Sequence, residues 1–247
     1  MLRKITVVFL LICLIFVSQT CCADTFNRSG QNSSRYGAKK EKCSSCQLPA
    51  LHGMRTKDMF FVCHACAKNI ITPASASKIM YKVRKDLAEM FGFDTKHRIS
   101  LKIVNRNTLT KESGMATSLG CMKYRFQKIV RWKGKSRKIR YKHTCQIFLL
   151  DTLNINNAGG VLAHELTHDY LFHHMGKPVD SQVSEGICEA VAGAWLLQNG
   201  YEKQFRIKKQ NPDPVYGAGF RLIYPQLERL GFKKMLEQNR SGFKRFR

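Results

Sequence analysis

A chain of 247 residues with 44% hydrophobic side chains is long enough to bury a core and too apolar for a disordered segment. Forty-two Lys and Arg stand against 17 Asp and Glu, and the resulting charge of +25 speaks to partners rather than to fold. No internal repeat and no glycine-rich nucleotide loop is present, which sets aside solenoid and nucleotide-binding architectures.

Residues 1–23 read as a secretory signal peptide. Arg3 and Lys4 form its positive start, Ile5 to Val17 its apolar run, and Cys21-Cys22-Ala23 a small-residue cleavage site. An apolar run of thirteen residues falls short of the about 20 that span a bilayer, so the expectation is a secreted or periplasmic protein rather than one anchored by an uncleaved signal. Residues 24–42, rich in Ser, Asn, Gly and Lys, have the composition of a flexible linker.

Residues 43–72 carry two Cys-x-x-Cys pairs, Cys43 with Cys46 and Cys63 with Cys66, sixteen residues apart. Each pair fits a tight knuckle, and two knuckles close a tetrahedron of thiolates around zinc. The stretch from His52-Gly53 to Met59–Val62 suits a small hairpin between them. A shortened LIM or zinc-ribbon module with a structural zinc is expected. An exported protein meets an oxidising compartment, so a pair of disulfides is the competing reading of the same four residues.

Residues 73–247 form the main domain, where strands precede helices and an α+β class is expected. Ile79, Val83, Leu87 and Met90 give the segment from Ala74 to Phe91 a one-faced helical pattern, and Ile99 to Val104 reads as a strand. Residues 119–150 alternate polar and apolar around a turn at Lys133-Gly134, which predicts a long hairpin with Cys121 and Cys145 nearly opposite and joined by a disulfide. Its stretch 123–142 holds ten basic residues and no acid, with Tyr124, Phe126, Trp132 and Tyr141 among them. Such a stretch fits a polyanion contact, and equally a solvated hairpin face.

The most informative residues follow. His164-Glu165-Leu166-Thr167-His168 places two imidazoles four apart, hence on one helix face and about 6 Å apart along it. Asn156 and Asn157 offer helix-capping side chains ahead of the motif, and Gly176 and Pro178 offer a stop after it. His173 and His174 point away from the His164–His168 face, because no glycine breaks the helix at Leu171. Glu185 is the better third ligand: a turn through Gly176, Lys177 and Pro178 returns the chain into a second helix with a buried stripe of Val183, Ile187, Ala190, Ala194 and Leu197. Glu189, one turn on, could accept the other ring N–H of a ligating histidine. Three protein ligands leave zinc an open position for water, whose proton Glu165 can take. A last helical region runs from about Tyr216 to Gln238, with breaks expected at Pro225 and Gly231.

Three ordered blocks resemble one family. They are Val161–His168, Ser184–Cys188 with Ala194-Trp195-Leu196 behind it, and Pro214–Arg221. The family is that of the plant organ-size regulators called DA-one and their bacterial relatives, which join a LIM-type module to a latent zinc peptidase. The resemblance covers roughly residues 100 to 240 and implies a zincin-like peptidase domain of a small antiparallel sheet and active-site helices. It implies His164, His168 and Glu185 on zinc, with Glu165 as base. This chain has no room for the plant members' ubiquitin-interacting helices, so ubiquitin-dependent control is not expected. Glu189 stands where the family pattern has an uncharged amide.

The expected function is therefore a secreted or periplasmic zinc peptidase with one catalytic and one structural zinc, acting on a protein or peptide through a zinc-bound water. Ile147–Leu150 is the expected edge strand for extended substrate, and Tyr216 the expected electrophile for the oxyanion. The alternative is a secreted basic protein that binds polyanions and whose zinc sites are only architectural.

Overall fold

The computed structural model describes residues 6–7, 40–93, 98–133 and 136–244. The expected signal peptide, apart from the two-residue strand β1 (Thr6–Val7), and the expected linker up to residue 39 lie outside the described residues. Among the described residues no helix is long and apolar enough to cross a membrane.

The cysteine module consists of two small antiparallel pairs and one turn of helix. Strand β2 (Glu41–Lys42) pairs with β3 (Pro49–Ala50), β4 (Gly53–Arg55) pairs with β5 (Phe61–Cys63), and α1 (His64–Ala67) follows at once. The expected hairpin therefore forms, with Cys43 and Cys46 in the β2–β3 turn and Cys63 and Cys66 where β5 runs into α1. Arg55 donates from Nη2 to both carboxylate oxygens of Glu41, at 2.8 and 2.7 Å, and so ties the two pairs together on the exposed side.

Helix α2 (Pro73–Phe91) starts on Thr72, whose side chain accepts from Ser75 N while Ser75 caps Thr72 N in return. It ends at Gly92, whose φ of 71° suits the left-handed cap. Ala76, Met80, Val83 and Leu87 form its buried stripe, at helical spacing. Strand β6 (Ile99–Val104) leads into α3 (Arg106–Ser113), a helix that the apolar pattern does not announce because only Arg106 and Leu109 are buried.

Strands β7 (Gly120–Lys133) and β8 (Ser136–Leu150) make the long hairpin, turning where expected, and β6 adds to β8 in parallel. The order β1-β7-β8-β6 makes the sheet mixed rather than the small antiparallel sheet expected. Ile147–Leu150 is correspondingly no edge: it lies between β6 and β7, and all four residues are buried. A continuous apolar run marks a strand covered on both faces, whereas a half-exposed edge would alternate.

The expected Cys121–Cys145 disulfide is also absent, and the register gives the reason. Cys121 pairs with Phe148 and Cys145 with Tyr124, so the two cysteines sit three residues out of register on opposite faces of the sheet, and both are free. For the basic stretch 123–142, most side chains lie outside the described residues.

Helix α4 (Ile155–His174) carries the His-Glu-x-x-His motif, and strand β9 (Lys177–Pro178) follows it. Next come α5 (Ser181–Gln198), α6 (Glu202–Lys209), α7 (Tyr216–Leu230) and α8 (Phe232–Gln238). Strand β10 (Phe243–Lys244) closes the described chain by pairing with β9. Helix α5 packs against both α4 and α7, which buries residues 184–193 throughout and leaves Leu197 at 37% exposure, so its buried surface is broader than a single stripe. Close approach is written into glycines. A Cβ on Gly159 of α4 would lie 2.3 Å from the Trp195 ring, and one on Gly186 of α5 would lie 2.6 Å from the backbone oxygen of Gly219 on α7. Trp195 also donates from Nε1 to Asp86 Oδ2 of α2 at 2.8 Å, fastening a third helix to the pair. Helix α7 passes through Pro225 without the expected break. Pro225 lies on the exposed side of the helix, while Phe220, Ile223 and Leu227 stay packed. The break at Gly231 does occur, at φ 74°.

Candidate metal centre

Helix α4 begins one residue before the Asn pair singled out in the sequence. Asn154 is the cap, accepting from Asn157 N at 2.9 Å, and Asn157 turns instead to the cysteine module. Its amide donates to Ser45 O at 2.9 Å, Asn154 N donates to Ser45 Oγ at 3.0 Å, and the Asn154 side chain donates to Cys66 Sγ at 3.2 Å. The start of the motif helix is thus built against both cysteine knuckles.

Three turns further, His164, Glu165 and His168 are held where α4 meets α5. Helix α5 starts on Asp180, whose side chain accepts from Val183 N at 3.1 Å, and it presents Glu185 to both imidazoles. His164 Nε2 and His168 Nε2 lie 3.1 Å apart, and Glu185 Oε2 lies 3.2 and 3.3 Å from them. A tetrahedral zinc with bonds of about 2.0–2.1 Å sets its ligand atoms about 3.3–3.4 Å apart, so the three atoms have the separations that one cation requires. Two further observations agree. Glu185 Oε2 is buried without a directed hydrogen bond, and two ring nitrogens that face each other at 3.1 Å need either a shared proton or a cation between them.

Electrostatics in the metal-free protein follow from the same crowding. Burial works against a charge on His164, but the carboxylates of Glu185 and Glu189 prevail and push its pKa up to about 10. Burial likewise opposes ionisation of Glu185, yet the charges of His168 and His164 hold its carboxyl well below the usual range. Glu165 is 5% exposed, and burial raises its pKa against the pull of the two histidines, as suits a group that must both take and give a proton.

Glu189 lies behind His164, with Oε1 2.9 Å from Nδ1 in a contact that is short rather than linear. Lys208 of α6 reaches both oxygens of Glu189 at 2.8 Å. Despite burial, Lys208 and His164 lower the Glu189 carboxyl to about 2. Tyr216, at the start of α7, brings its ring centroid to 6.2 Å from that of His164, and its hydroxyl meets Met115 Sδ at 3.7 Å. His173 and His174 stay away from the cluster, as expected: His173 faces Asp169 at 3.6 Å, and His174 is engaged with Tyr170 O at 2.9 Å.

The four module cysteines also converge. Their sulfurs lie within 4.8 Å of one another, with Cys46 and Cys63 at 3.9 Å, near the about 3.8 Å that a tetrahedral Zn–S₄ site implies. All four are free, so the disulfide alternative is not realised. Hydrogen bonds from Cys46 and Cys66 lower the Cys43 thiol well below its usual range, while its hydrogen bond with Cys43 pushes Cys46 up to about 11. Backbone N–H of Cys63 donates to Cys43 Sγ at 3.3 Å.

Two neighbours escaped the sequence reading. Cys188 places its sulfur within 4.8 Å of ligand atoms of His164 and His168, and burial among Glu185, Glu165 and Glu189 keeps it a protonated thiol. It could have been suspected from its place one turn after Glu185. Lys208 could not, since no motif or spacing links α6 to the site.

Residues 108–210 match the model of a family described as DA1-like, Protein DA1. No curated protein and no solved structure matches the chain.

Proposed function

We propose, on the premise that this is a DA1-like chain, that it is a zinc-dependent peptidase of zincin-like design in which His164, His168 and Glu185 hold the metal and Glu165 moves the proton. The observation that carries the reading is the triangle of 3.1, 3.2 and 3.3 Å between two imidazole nitrogens and one carboxylate oxygen, with a buried carboxyl next to it in sequence. When bound, zinc supplies Lewis acidity that polarises water and the scissile carbonyl.

The residues of the chain do the rest. Glu165 accepts the proton of the attacking water on its carboxylate and passes it to the departing amine, a role helped by its raised pKa. Tyr216 donates its hydroxyl toward the oxygen that becomes negative in the transition state. Extended substrate adds to β7 rather than to β8. Over Gly120–Arg125 the outer edge of β7 has no partner among the described strands, and the only segment on that edge, Thr6–Val7, pairs further along at Phe126 and Gln127. This stretch runs beside the motif helix: a Cβ on Gly120 would touch Val161, and Tyr124 stacks on Phe172 at 4.2 Å. Export from the cell and a polyanion contact through the hairpin 123–142 belong to the same proposal and rest on the sequence.

A metal count on the purified protein, paired with a proteomic cleavage screen, tests it. Two zincs per chain are expected in the wild type and in Glu165→Gln, with cleavage lower by about 10²–10⁴-fold in the variant. Equal cleavage by the two proteins would remove Glu165 from the chemistry. Tyr216→Phe is expected to lower kcat by about 10²-fold with the metal content unchanged.

A further inference from the structure

Three buried carboxylates carry more negative charge than one divalent cation at this site would cancel. Glu165, Glu185 and Glu189 are all at most 8% exposed and meet around the same two histidines. Against three carboxylates a divalent cation would leave one charge uncompensated, and an unpaired buried charge is strongly unfavourable. Lys208 meets that need. Its ammonium lies 2.8 Å from both oxygens of Glu189, its side chain is only 19% exposed, and Glu189 in turn stands 2.9 Å from His164 Nδ1. Lys208 comes from the last turn of α6, outside the two helices that supply the ligands.

We propose that Lys208 is a positioning residue for the metal site: by clamping and neutralising Glu189 it fixes the ring of His164, so that Nδ1 faces the carboxylate and Nε2 faces the metal. A carboxylate bound to the far nitrogen of a ligating histidine fixes its tautomer and orientation. Here that carboxylate would itself be an uncompensated charge without the lysine. The inference rests on the metal reading of His164, His168 and Glu185.

The test compares wild type, Lys208→Met, Lys208→Arg and the double variant Lys208→Met/Glu189→Gln. Zinc affinity is measured by competition with a chromophoric chelator at one pH, where circular dichroism finds all four folded, and the cysteine site serves as internal reference. Lys208→Met is expected to weaken zinc at the histidine site by about 10–100-fold while leaving the cysteine site unchanged. Lys208→Arg should stay within a few-fold of wild type, because the charge is kept. The double variant should regain most of the affinity, since a neutral amide can accept from His164 Nδ1 without needing a cation behind it. Wild-type affinity in Lys208→Met, or a double variant as weak as the single one, overturns the role of Lys208. A wild type that binds zinc only at the cysteines overturns the metal reading as well, so the two failures are told apart.

Discussion

The four thiols of the N-terminal cluster come from two short turns within 24 residues of chain, whereas the imidazoles and carboxylates of the second cluster come from two separate helices and depend on how these pack. Thiolates on knuckles can be brought together by the metal itself, because so little chain must be ordered to close them. The second cluster needs its scaffold in place first. Helix α5 must lie against α4 closely enough for Glu185 to meet His164 and His168, and that approach depends on Gly159 beneath Trp195 and on Gly186 against Gly219. The first arrangement would satisfy a zinc completely, as a structural site does; on the proposed reading the second would supply three ligands with a buried carboxyl beside them.

The largest effect expected from this contrast is on the cysteines. Cys63→Ser should abolish one of two bound zincs and unfold the module, since in small metal modules the binding free energy, about 10–16 kcal/mol, is the folding free energy. His164→Ala should remove the other zinc and leave the helices folded, as read by circular dichroism. If both variants unfold the chain equally, the two clusters do not differ as argued.

Overpacking the helix crossing comes next. Gly186→Ala puts a methyl group against backbone on α7, with an expected cost of about 1–3 kcal/mol in denaturant unfolding. Because Glu185 is the adjacent residue, zinc should weaken at the histidine site and not at the cysteines. Weakening at both sites would mean that the crossing supports the whole chain rather than this site.

The metal-free protein should reveal the same difference through pH. His164 is raised from 6.5 to about 10, so its contribution to stability is complete below pH 6.5 and is lost as pH rises through about 10. The raised thiol of Cys46 contributes in the same sense only above its ordinary 9.0. The lowered thiol of Cys43 adds stability as pH rises toward 9, against the histidine, so the histidine contribution is read as a difference: between pH 6.5 and 9 the melting temperature should rise more steeply with pH in His164→Ala than in the wild type. Glu189, lowered from 4.5 to about 2, works in the opposite direction: its contribution is complete above pH 4.5 and is lost as pH falls through about 2.

The smallest effect is expected where the two regions touch. Asn154→Ala removes both the cap of α4 and a hydrogen bond to Cys66 Sγ, at a cost of about 1 kcal/mol for the cap. A modest loss in both the melting temperature and the zinc affinity of the cysteine site would show that the junction transmits strain in both directions; a change in only one would separate them.

How much of this was legible depends on the distance over which each feature is specified. Helix α2 and strand β6 were readable because their signals, a capped apolar stripe and a short β-branched run, are complete within the segment. The meeting of His164 and His168 was readable because i, i+4 spacing on a helix is a local geometric fact, and that of Glu185 with them because a short turn returns the chain beside the first helix. Readings failed where a neighbour decided. Ile147–Leu150 became a central strand because β6 paired with it in parallel, and Cys121 missed Cys145 because the hairpin register, not the count of residues, sets which side chains face each other. Pro225 did not break α7 because it lies on the exposed side of a helix held by packing.

The sequence by itself determined two sets of side chains able to hold a metal and the helix that carries one of them, since ligand spacing and helical period are properties of adjacent residues. The tertiary structure alone decided that Lys208 stands behind Glu189, that Gly120–Arg125 of β7 has no outer strand partner among the described residues, and that the cysteine module packs on the start of the motif helix. These are meetings of groups far apart in the chain, fixed by glycine-sized gaps, strand register and charge balance in a buried site, and no local pattern encodes them.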